Sequence, residues 1–129
     1  MTFTIDCGPG TTWKIRVFVW PSHKKLIIER RKIDERSCND PLAFFHDYTV
    51  NRAARAKHWQ KSFIGACHFY KGEGVALKNV VHEATHAAVA YAYMCRLNMD
   101  TRDGEEEFVK SVEHMTTGIL WQLRRKKKK

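Results

Sequence analysis

His82-Glu83-Ala84-Thr85-His86 is the stretch of this chain whose residue types and spacing could do chemistry. On a helix, residues four apart share a face, so His82 and His86 point the same way. Two imidazoles at that spacing can reach one zinc ion. Glu83, directly after the first of them, stands where it can take a proton from metal-bound water. Such a pattern gains meaning only from its context, and the flanking sequence predicts a helix. Val75, Ala76, Leu77, Val80, Val81, Ala84, Ala87, Ala88, Val89, Ala90, Ala92 and Met94 surround the motif, with no proline from Gly74 to Arg96. Apolar residues fall on nearly every face, which predicts a buried helix. Gly72 and Gly74 break what precedes it, and Asn98 with Asp100 marks its end. Two histidines and a glutamate inside a buried apolar helix would be costly without partners. That favours a metal over core histidines bonded to the backbone.

The elements that must position this helix follow from hydrophobic period. Thr12 to Trp20 alternates, with Trp13, Ile15, Val17 and Val19 on one face, and predicts a strand. Pro21-Ser22-His23 makes a turn, and Lys25 to Ile33 then predicts a second strand, the pair forming a hairpin. Ser37 to Pro41 is a turn-rich connection, Pro41 to Val50 a helical turn or irregular segment, and the basic stretch Asn51 to Lys61 a short helix. Phe63 to Tyr70 predicts a third strand in which Gly65 marks a weak point or bulge. Asp103 is the expected N-cap of a final helix reaching about Leu123, where Phe108, Val112, Met115, Ile119 and Leu123 recur at helical spacing. Strands first and helices later, without regular βαβ alternation, predict an α+β fold: a small sheet of about three strands, antiparallel in part, packed on the motif helix and the C-terminal helix.

At 129 residues the chain suits a single domain, expected over residues 1–123. No apolar run is long enough to span a bilayer, and Met1 to Pro9 does not read as a signal peptide, so the expected site of action is the cytoplasm, with no membrane contact. Cys7, Cys38, Cys67 and Cys95 are scattered, without a C-x-x-C pair, which points away from zinc ribbons and towards free thiols. Arg124 to Lys129 carries six positive charges of the net +9, leaving +3 elsewhere. Self-repulsion predicts a disordered tail over residues 124–129, able to contact nucleic acid or another polyanion without reading sequence.

A catalytic zinc usually has three protein ligands and one open position. Downstream of His86, the candidates for the third are Glu105, Glu106, Glu107, Glu113 and His114. HEATHAAVAYA, a short turn and EEEFVKSVEHM resemble the small gluzincins of phage and prophage genomes, and more distantly the gluzincin clan of zinc peptidases. The resemblance covers roughly Phe63 to Leu123 and implies a minimal zincin-like domain. In that clan the third ligand is a glutamate on the next helix, which the resemblance carries to Glu106, twenty residues after His86 with Val109 three further on. Helix geometry sets Glu105 nearer the apolar stripe, so Glu105 stays open beside Glu106, with Glu107 and Glu113 behind. SprT-like proteases use a third histidine, a role His114 could fill. The metzincin pattern is excluded, because the glycine and third histidine it needs after His86 are missing.

The resemblance also implies that the strand before the motif helix, Phe63 to Tyr70, forms the cleft edge on which an extended peptide pairs, with Ala66 and His68 lining it. The implied activity is zinc-dependent peptide hydrolysis with Glu83 as general base and His82, His86 and Glu106 as ligands, acting on a host or phage regulatory protein in a bacterial cytoplasm. His114, Tyr91, Tyr93, His68 and Tyr70 are candidates to stabilise the oxyanion. Two other functions stay open: a non-catalytic binding or inhibitor protein on a zincin scaffold, and a nucleic-acid-associated protein using its basic surface and tail.

Overall fold

The computed structural model describes residues 1–33, 41–50 and 57–127. Strand β1 (Thr2–Asp6) is followed by β2 (Lys14–Trp20), helix α1 (His23–Ile33), β3 (Phe44–Asp47), β4 (Phe63–Tyr70), α2 (Leu77–Cys95) and α3 (Arg102–Lys127). The fold is α+β, and its sheet has four strands in the order β1-β2-β4-β3. β1 runs antiparallel to β2, β2 parallel to β4, and β3 antiparallel to β4.

The alternation of β2 is as its sequence predicts. Ile15, Val17 and Val19 are buried, and with Cys67 and Phe69 of β4 they meet Val80, Ala84, Ala87 and Ala88 of α2 and Met115 and Ile119 of α3 in the main core. Neighbouring residues point to the other face of the sheet. There Leu26 of α1 packs with Phe44, Tyr70 and Trp20. Gly65 coincides with a bulge: Lys14 pairs with Phe63 but Ile15 with Gly65, so Ile64 is the extra residue. The last helix carries the expected stripe, Met115 and Ile119 fully buried with Phe108, Val112 and Leu123 packed against the core.

Several expectations are corrected. Lys25 to Ile33 is a helix, not the second strand of a hairpin. The Lys25 amide donates to Ser22 Oγ at 3.2 Å, an N-cap, and Glu29 takes Lys25 at 3.1 Å and Lys32 at 2.9 Å. These are i,i+4 and i,i+3 pairings that only a helix brings together. The antiparallel partner of β2 is instead Thr2–Asp6, whose Phe3 and Ile5 face the core between exposed threonines. Pro41 to Val50 contains strand β3. The N-cap of α3 is Thr101 rather than Asp103, its Oγ1 accepting the Gly104 amide at 3.1 Å. The helix continues past Leu123 to Lys127, and Lys126 Nζ donates to the Thr2 carbonyl at 3.5 Å.

Of the segment expected as a basic helix, residues 57–61 are described, helical at Lys57 and His58 and 3-10 at Trp59–Lys61. Residues 51–56, most of the Ser37 to Pro41 connection and Cys38 lie outside the described residues. Cys7, Cys67 and Cys95 are free thiols. Among the described residues no helix is long and apolar enough to cross a membrane.

Composition predicts an α2 buried on nearly every face, and this is corrected too: one face is exposed. Its inner face (Val80, Glu83, Ala84, Ala87, Ala88) is buried, whereas Leu77, Val81, Val89 and Tyr93 are exposed on the outer one. The two helices divide the sheet between them. α2 lies over β4 and β3 and α3 over β1. The Ser111 hydroxyl of α3 donates to the Cys7 carbonyl just past β1, at 2.7 Å.

Candidate metal centre

His82 and His86 project from α2 on the side of β3, and both are exposed. Their Nε2 atoms are 3.2 Å apart. Two nitrogens bound at about 2.0–2.1 Å to one tetrahedral zinc would stand roughly 3.3 Å apart, so the pair already has the spacing that the ion requires. In the metal-free chain the same distance closes an N–H···N bond between the rings. Ligand atoms of His82, Glu83 and His86 lie within 4.8 Å of one another. Nitrogen and carboxylate donors of this kind suit zinc.

Glu83 differs from the histidines in being only 5% exposed. Its backbone carbonyl accepts from Cys67 Sγ at 3.8 Å, at the seam between α2 and β4. Burial pushes its carboxyl pKa up to about 7, opposed by the neighbouring His82. A carboxyl that titrates near neutrality beside two exposed imidazoles is the arrangement that proton-transfer sites use.

The shift has a stability consequence in the metal-free protein. The native state holds the Glu83 proton up to about pH 7, whereas the unfolded chain releases it near 4.5. The native state therefore binds more protons across that window, and stability falls as pH rises through it. Thermal unfolding in chelator should show Glu83→Gln gaining on the parent between pH 5 and 7.5. A difference independent of pH would count against the burial of this carboxyl.

The wall facing the histidines is β3. Ala43, Phe44, Phe45 and Asp47 on that side, and His82, Glu83, His86 and Val89 on α2, line a cleft of about 350 Å³. β3 pairs with β4 on one side and leaves its other edge free among the described residues. β4, expected as the cleft edge, is an interior strand. Its Ala66 and His68 face the opposite layer, because Cys67 between them points at α2. His68 is stacked between Phe18 and Phe44 at 4.7 and 4.3 Å and accepts from Trp20 Nε1 on Nδ1 at 3.1 Å. Burial first, then the nearby His46, pushes its pKa down to about 3. It is a neutral core histidine.

The other expected site residues are placed elsewhere. Tyr70 belongs to the α1 layer with Leu26. Tyr91 stands beside Thr11 and Cys95. His114 lines a groove between β1 and α3 with Asp6 and Trp121. Tyr93 shares the stripe of His82 and His86 but stands seven residues on from His86, about 10 Å along the helix. Glu106 is exposed and is not in the converging group, nor are Glu105, Glu107 and Glu113. Gly104, Ser111, Met115 and Ile119 make the buried stripe of α3, and Glu106 is turned about 200° from Gly104. α3 also lies on the β1 side of α2, whereas the cleft opens at β3. Sequence reasoning missed Phe45 and Asp47, although the aromatic run Phe44-Phe45 ending in a turn carries a short-strand signal.

No protein-family model, curated protein or solved structure matches this chain.

Proposed function

We propose that the chain is a zinc-dependent peptidase. The observation that carries this reading is the pairing of two imidazole nitrogens at zinc spacing with a buried carboxyl of raised pKa, beneath a strand edge that is free among the described residues. His82 and His86 hold the metal. When bound, zinc acidifies a water and polarises the scissile carbonyl. Glu83 accepts the proton and returns it to the leaving amine. A peptide lies extended along the outer edge of β3, its main chain completing the hydrogen bonds that β4 leaves unmade. The substrate class is a host or phage regulatory protein in a bacterial cytoplasm, and Arg124 to Lys129 adds a salt-sensitive contact to nucleic acid or another polyanion.

Metal analysis of the purified chain should give about one zinc per chain, and His86→Ala should lower zinc affinity by at least about tenfold. A chain that takes up no zinc from excess metal ends this reading. The absence of Glu106 from the converging group favours a second reading, a non-catalytic zincin-scaffold binding protein, since two histidines alone fall short of the usual three ligands. Turnover by the zinc-loaded chain separates the two.

A further inference from the structure

Resting on the reading of the β3 cleft as a peptide site, we propose that Asp47 is its specificity residue and receives a cationic group of the bound peptide. Four polar side chains line the cleft: His82, Glu83, His86 and Asp47. The first three have roles in holding metal and moving a proton. Asp47 stands apart from their converging group, so its carboxylate is left for the substrate.

It is also held ready. Asp47 Oδ1 accepts from the Thr49 amide at 2.8 Å and from Thr49 Oγ1 at 2.6 Å, which fixes the carboxylate, and Oδ2 has no hydrogen bond among the described residues. No ion pair engages it among the described residues, in a chain of net charge +9. A carboxylate placed in a cleft supplies the complement to a positive ligand group. Its direction is set by the strand. Asp47 shares the face of Phe45, two residues away, and that face turns to α2. A peptide pairing with the edge of β3 thus carries side chains past Asp47 within a few residues of the metal. The cation is either an α-ammonium at the peptide N-terminus or the side chain of Lys or Arg.

The test uses the zinc-loaded full chain carrying Glu83→Gln, so that peptides bind without being cut. Peptides with Lys at successive positions are compared with norleucine counterparts, and free N-termini with acetylated ones. One partner cation should tighten binding by about tenfold, the scale of a charge-assisted hydrogen bond. Loss on acetylation identifies the α-ammonium, and loss on Lys→norleucine identifies the side chain. Adding Asp47→Asn, which keeps an oxygen for Thr49, should collapse the preference to within about twofold, with zinc affinity by chelator competition unchanged. Preference retained in Asp47→Asn overturns the proposal. So does a tenfold fall in zinc affinity, which would make Asp47 a metal ligand. If no peptide binds, the proposal fails together with the peptide site. If the preference holds but the parent chain cuts nothing, peptidase activity fails and the role of Asp47 stands.

Discussion

Glu83→Gln should keep zinc bound and lower peptide hydrolysis by about 10²–10⁴-fold, the usual contribution of a positioned general base. The substitution is nearly isosteric and retains a carbonyl oxygen, so the α2–β4 seam should hold. What it removes is the ability to take and return a proton. Because the side chain is 5% exposed, bulk water cannot readily replace that function. kcat/KM on an unfolded protein substrate, measured beside zinc content, decides the matter. Undiminished hydrolysis would remove Glu83 from the chemistry, and lost zinc would make it a ligand instead. His86→Ala differs in kind, since it should lose metal and activity together.

Gly65→Ala should cost about 1–3 kcal/mol of stability and weaken peptide binding as well. A Cβ at Gly65 would stand 2.2 Å from Phe45 Cζ and 2.8 Å from the His46 carbonyl oxygen. The ring can swing, but a backbone oxygen moves only if β3 moves. Because β3 carries Phe45 and Asp47, a methyl group on β4 should displace the cleft wall without touching the metal ligands. Chemical denaturation and zinc titration should therefore separate: lower stability and weaker peptide binding, with zinc affinity retained. Stability unchanged within error would mean that β3 is not seated over Gly65.

The parts legible in the sequence were those with local causes. β2 showed its strict alternation, α3 its apolar stripe, and α2 its unbroken apolar run. The His82–Glu83–His86 convergence is local too, because one helix sets it. Leu26-Ile27-Ile28 misled, since three adjacent apolar residues suit a strand, and the Ser22 cap and the Glu29 pairings that decide for a helix are weak signals. β1 and β3 are short, and their identity comes from distant partners. The position of Glu106 depends on how α3 packs against α2, which chain spacing cannot supply: twenty residues give reach but not direction. The exposure of both histidines was hidden for the same reason. An alanine-rich helix looks apolar all round, and only the sheet chooses its inner face.

The edge of β3 that is free among the described residues has a cost for the chain by itself. Unpaired strand edges invite a second copy to pair with them, the first step towards aggregation. Here the edge spans only Phe44–Asp47, so two copies paired antiparallel would share few hydrogen bonds. A net charge of +9 on each chain opposes their approach. Strand length and overall charge thus let the chain keep an edge open while holding its own copies apart.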